Sequence, residues 1–177
     1  MTSRIAAALA GLGLAFCVAG SAEAQIIMPG NNPRPAQPQQ PQQPAGLISA
    51  VTQQQLAQLL QPAGLQKVEL VTGQGGQKGI KGELNGTPVI VALSACQADA
   101  CAMVSYLVLF GQQQVDLNFI NSFNRDRGFA RLVQTKDNSL ILAMDTHLIG
   151  GVSPANISAQ AAVFASAIKN LLEYRPE

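Results

Sequence analysis

Few side chains in this 177-residue chain are suited to chemistry, and they fall into three groups. The first is Asp145-Thr-His147, which holds the single histidine. Residues two apart on a strand project to one side, so this carboxylate and imidazole could share a metal ion or a proton. Arg131 precedes them by one strand and could complete a site for an anion. The second group is "NFINSFNRDRGFAR", residues 118–131, where Asn121, Asn124, Arg125, Arg127 and Arg131 crowd among phenylalanines. The third is Cys96 and Cys101.

The chemistry these groups allow is narrow. Asp145 and His147 supply two ligands, whereas a zinc site takes at least three from the protein. No Ser or Cys nucleophile is evidently paired with His147. There is no Gly-rich phosphate loop, no paired-cysteine metal motif and no G-x-S-x-G elbow. The expectation is therefore a protein without catalytic residues, metal or cofactor. A small envelope enzyme or ligand-binding protein using Arg131, Asp145 and His147 stands as the alternative.

Composition bounds the partners. Charged residues make up 12% of the chain, about half the usual share of roughly 25%. The net charge is +1, so no broad field would attract nucleic acid or an anionic membrane. At the N-terminus, Arg4 precedes an uncharged apolar run from Ile5 to about Gly20, followed by Ala22-Glu-Ala24. This is the pattern of a secretory leader over residues 1–24, cleaved near Ala24-Gln25. The run is shorter than the roughly 20 residues that span a bilayer, and no span is expected in the mature chain. Cys17 raises lipidation as an alternative, against which stands Phe16, where that signal needs a small residue. Loss of the leader removes Arg4 and Glu23 and leaves the charge unchanged. The expected location is periplasmic or secreted.

Cys96 and Cys101 are then the remaining cysteines, and an even pair in an oxidising compartment reads as a disulfide. Nothing cationic flanks them to make a reactive thiolate. Residues 25–46, "QIIMPGNNPRPAQPQQPQQPAG", hold six of the ten prolines. Such a segment buries too little to offset the entropy of ordering, so it reads as an extended Gln/Pro-rich tether. A PxxP-type ligand role is a lesser alternative to a plain spacer. The folded domain is expected over 47–177.

Within that domain, Thr52-Gln-Gln-Gln55 has the form of a capping box. Leu56, Leu59 and Leu60 follow at helical spacing and Gly64 supplies the stop. The period then falls to two, with Val68 and Leu70, then Ile80 and Leu84, alternating with polar residues. Asn85-Gly86 is a two-residue hairpin signal. "TPVIVALS" and "AMVSYLVLF" are apolar on both faces, as in central strands with a covered second face. The region 65–110 thus reads as a four-stranded antiparallel meander, with the cysteines facing each other across its last hairpin.

Asp116 is the expected cap of a helix running to about Arg127, with Leu117, Ile120 and Phe123 as its apolar stripe. Asn124 falls on that stripe and Asn121 on its flank, so Asn124 should hydrogen-bond to backbone rather than stay unpaired. Gly128 reads as a left-handed helix terminator, with Phe129 folding back onto Phe123 or Asn124. A strand over Phe129–Thr135 then turns through Asp137-Asn138 into "LILAMD". A two-residue turn would set Arg131 opposite Met144, on the face of Val133 and Leu142, as a half-buried charge in want of a carboxylate or anion. Ser153-Pro154 opens the last helix, with Ile157, Ala161, Phe164, Ile168, Leu171 and Leu172 inward.

Over residues 48–174, the segments "LAQLLQPAG", "CQADACAMVSYLVLF", "INSFNRDRGFARL" and "LILAMDTHLIGGVS", with the Asn-containing start of the last helix, resemble the YbjN family. This is a group of bacterial domains labelled sensory-transduction regulators. Phe123 stands where members often carry Trp. The resemblance implies an α+β fold like that of type III secretion chaperones, with helices packed on an antiparallel sheet, serving binding rather than catalysis. The element order read from the residues, α-β-β-β-β-α-β-β-α, agrees with it. The function expected is an exported, non-enzymatic binding or accessory module of the cell envelope. Its partner would be an unidentified protein or a second copy of the chain. Asn121, Asn124, Arg127, Arg131 and Asp145 are the candidate contact residues, and a purely structural envelope component is a further alternative.

Overall fold

A computed structural model describes residues 46–175. The expected leader with Cys17, and nearly all of the tether, lie outside them. The described elements are α1 (Gln53–Leu60), β1 (Leu65–Thr72), β2 (Lys78–Leu84), β3 (Thr87–Gln97), β4 (Ala100–Gln112), α2 (Leu117–Asp126), β5 (Arg131–Gln134), β6 (Ser139–His147) and α3 (Pro154–Glu173), with a short 3-10 turn at Gln74–Gly76. This is the expected α+β order. All pairings are antiparallel, in the sheet order β1-β2-β3-β4-β6-β5.

Local signals set the ends of the elements. The Thr52 hydroxyl accepts from the Gln55 amide, while the Gln55 side chain accepts from the Thr52 amide. Such a box satisfies two otherwise orphaned donors, each worth about 1 kcal/mol. Leu56, Ala57 and Leu60 carry the buried face of α1. Asn85 and Gly86 both adopt positive φ, 51° and 79°, as the tight turn between β2 and β3 demands. Gly82 has no room for a side chain: a Cβ there would lie 2.8 Å from the Gln66 carbonyl of β1.

Alternation places Ile80, Leu84, Val89, Val91, Leu93, Val104, Tyr106, Val108, Leu132, Leu140, Leu142 and Met144 on one face of the sheet, and all are buried. The helices close that face with Leu56, Leu60, Ile120, Phe123, Ile157, Phe164 and Ile168, in one continuous core. Phe164 meets the Tyr106 ring at 5.6 Å between centroids. Burying each of these large side chains favours folding by about 1.5–3 kcal/mol. Leu172, expected inward on α3, is 61% exposed, and Ala167 takes the inward position instead. One residue past Leu171 is a 100° rotation, enough to leave the stripe.

The β1 edge and the β3–β4 hairpin are finished differently. On β1 the register shifts between Gln66 and Glu69, with Lys67 in the left-handed region. The simple alternation expected for Val68 and Leu70 is broken there, and Leu70 remains exposed. Cys96 and Cys101 pair directly across β3 and β4 and are joined as a disulfide. On the far side of Cys101, Val51 exchanges two backbone hydrogen bonds with it, at 2.8 and 2.9 Å.

Candidate functional site

The stretch 118–131 is a helix, its terminator and the start of a strand. Asp116 caps α2 by accepting from the Asn118 amide at 3.0 Å. Ile120 and Phe123 are buried, but Leu117, expected on the same stripe, is 64% exposed. Asn124 is half-buried and pairs its amide with backbone. Its Nδ2 donates to the Leu132 carbonyl at 2.9 Å and its Oδ1 accepts from the Leu132 amide at 2.6 Å. One side chain thereby fills both backbone positions that a further strand beside β5 would occupy. Asn121 is exposed and joins none of this.

The terminator differs from expectation. Gly128 is not left-handed; α2 ends at Arg127, with φ −129° and ψ 66°, whose amide donates to the Phe123 carbonyl. Without the left-handed turn the chain does not fold back, and Phe129 is 81% exposed instead of packing on Phe123 or Asn124. The position beside Phe123 is taken by Tyr174, whose ring meets Phe123 and Phe119 edge-on at 5.4 Å. The Tyr174 hydroxyl donates to Asp126 at 2.7 Å. That bond, with the Arg125 guanidinium at 3.0 Å, holds the Asp126 carboxyl below its ordinary range. Arg127 lies over the Tyr174 ring, 5.8 Å from its centroid.

Strand β5 begins at Arg131, later than expected, and its turn is longer. The Thr135 amide donates to Ser139 across three intervening residues, with Asn138 at φ 62°. One extra turn residue slides the register by one and flips every side chain. Arg131 therefore lies opposite Ala143, not Met144. It shares the face of Val133, Ile141 and Ala143, away from Leu142 and the core.

On that outer face Arg131 finds the carboxylate it needs. Its Nη2 donates to Asp145 at 2.5 Å, and Ser105 Oγ donates to the other Asp145 oxygen at 2.5 Å. Partial burial acts to raise the Asp145 pKa, but Ser105 and Arg131 outweigh it and bring it below the ordinary value. Ser105 was not singled out from the sequence; only the register Ser105↔Asp145 reveals it. His147 follows on the same face, opposite Met103. Among the described residues no group of three His, Cys, Asp or Glu side chains is placed to hold a metal ion. Five candidate contact residues are thus dispersed: Arg131 and Asp145 on the outer face, Asn124 bound to backbone, Asn121 in solvent, and Arg127 on the helix side.

Around the Arg131–Asp145 pair the outer face is apolar. Ile90, Leu107 and Ala143 form one cross-strand row, Leu109, Ile141 and Val133 the next, with Met103 beyond. Ala143 in the first row is buried, Ile90, Met103, Leu107 and Ile141 are half-buried, and Leu109 and Val133 are exposed; none of the seven joins the continuous core beneath the helices. No described helix is long and apolar enough to cross a membrane.

The comparison with curated proteins gives no match. The family model described as "Putative bacterial sensory transduction regulator" matches residues 52–174, the whole span from the α1 cap to Tyr174. With that match running through every described element, the chain belongs to the YbjN family.

Proposed function

We propose that the protein is an exported, non-enzymatic binding module of the cell envelope. In this reading the leader over 1–24 is removed near Ala24-Gln25 and residues 25–46 tether the domain, which works in the periplasm or outside the cell. The observation that carries the proposal is the uncovered apolar face of β3, β4 and β6. Contiguous apolar surface rimmed by polar groups marks an interaction site, and here Arg131, Asp145 and His147 form the rim. A protein partner with an apolar segment fits it, as does a second copy of the chain. The Cys96–Cys101 disulfide accords with an oxidising compartment, and the family description accords with a regulatory or accessory role.

The enzyme reading is weaker on geometry. The Asp145 carboxylate accepts from both Ser105 and Arg131, so it is not disposed to activate His147 or to bind a metal. The test is sedimentation of the purified protein at high concentration, together with crosslinking in intact cells, for the wild type and for Leu107→Asp. Association or a crosslinked envelope protein that disappears in the variant supports the proposal. A strict monomer with no crosslinked partner overturns it.

A further inference from the structure

The second feature left open by the fold lies on the other side of the sheet. The end of α2, the 127–130 loop and the middle of α3 enclose a cleft of about 360 Å³, within the range of small-molecule sites. We propose that this cleft binds a small monocarboxylate carrying an apolar chain or ring, independently of what occupies the open sheet face.

Three observations specify that ligand. Arg127 lines the cleft, and among the described residues no carboxylate or carbonyl accepts from its guanidinium. Its contact with the Tyr174 ring fixes the group without using its N–H edges. These edges match a carboxylate in two-point geometry. Next, three of the lining residues are apolar: Ala167 is buried, while Val163 and the Phe129 ring are exposed. A ring that buries about 150–250 Å² when covered is here left for a ligand to cover. Finally, Asn170 and Ser166 add polar atoms at one side. Ser166 donates to the Ala162 carbonyl within α3 and keeps lone pairs free, while the Asn170 side chain is exposed beside it.

Local charge sets the valence. Asp126 also lines the cleft, but its charge is matched by the adjacent Arg125. Arg127 also acts on Asp126 through space, so the three groups together leave one net positive charge at this end of the cleft. One negative charge is balanced there, whereas the second of a dianion finds no further cation among the lining residues. A dicarboxylate or phosphate is therefore disfavoured against a fatty or aryl monocarboxylate.

The experiment is an amide-resolved NMR titration of the purified chain with octanoate and 3-phenylpropionate. Octanamide, acetate and octanedioate serve as controls. Saturable shifts confined to residues 126–130 and 163–170 are expected, with octanamide and octanedioate at least about tenfold weaker. Arg127→Gln should weaken octanoate about tenfold, and Phe129→Ser several-fold. Both side chains are exposed, and an unchanged spectrum elsewhere verifies folding. Arg127→Lys, which retains the charge without the fork, should fall between wild type and Gln. Absence of saturable shifts overturns the proposal. So does equal binding of octanamide, an unaffected Arg127→Gln variant, or shifts confined to Leu107 and Ile141 on the open face.

Discussion

Both faces of the sheet carry large apolar side chains, and these have opposite fates. Val89, Val91, Leu93 and Val104 face one way and lie beneath helices; Ile90, Leu107, Leu109 and Ile141 face the other and do not. Apolar composition alone does not decide which face becomes core. The helices decide it, and what positions them is polar: the Thr52–Gln55 box at α1, Asp116 and Asn124 at α2, and Ser153 at α3. The lesson is that an apolar strand states a capacity for burial, and the caps state where it is used.

The largest test of this contrast sets Phe123→Ala against Leu107→Ala. Removing the fully buried Phe123 ring should cost about 3–5 kcal/mol in urea unfolding. Leu107→Ala should cost about 1 kcal/mol or less, since its side chain is only half-buried. Equal losses would mean that both faces are core and would end the comparison. Next, Asn124→Ala should cost about 2–3 kcal/mol, because the amide and carbonyl of Leu132 both lose their partner. Hydrogen exchange should speed up at Leu132 before it does at Val104. Slow exchange retained at Leu132 would show that β5 is held without the clasp.

A smaller loss, about 2 kcal/mol, is expected when Cys96 and Cys101 are both replaced by Ser, the value for so short a closed loop. The effect should be concentrated at the β3–β4 hairpin, with the helix side retaining its protection. The smallest effect sharpens the outer face. Asp145 has a folded-state pKa below the unfolded value of about 3.9. Its stabilising contribution is thus full above that value and is lost as pH falls through the folded pKa. Asp145→Asn should flatten the stability profile below about pH 4. At neutral pH it should cost less than about 1 kcal/mol, because Arg131 is 59% exposed. An unchanged acid limb would show that the ion pair does not contribute.

Element order and helix starts were legible because their signals are local. Thr52-Gln55, Asp116 and Ser153-Pro154 each name a cap within a few residues, and Asn85-Gly86 names its turn. That Asn124 would seek backbone was legible too, from its place on the apolar stripe. What could not be read was anything set by a count of one. Asn138 makes the β5–β6 turn three residues instead of two, and that moves Arg131 from the core side to the outer face. Ser105 entered the site only through that register. Helix rules place Phe129 and Leu117 inward, whereas the position beside Phe123 is taken by Tyr174, distant in sequence, and both side chains are exposed.

The backbone exchange between Val51 and Cys101 has a mechanical consequence. Tension on the chain entering at Gly46 is met first by the Ile48–Val152 bridge, which lies outside the named strands, and reaches the sheet at the Val51–Cys101 bridge. Cys101 is covalently tied to Cys96, so the load arrives at a point where two strands cannot part. Under such a load residues 48–51 give way first, withdrawing the Val51 side chain from the core, while the hairpin behind them stays closed.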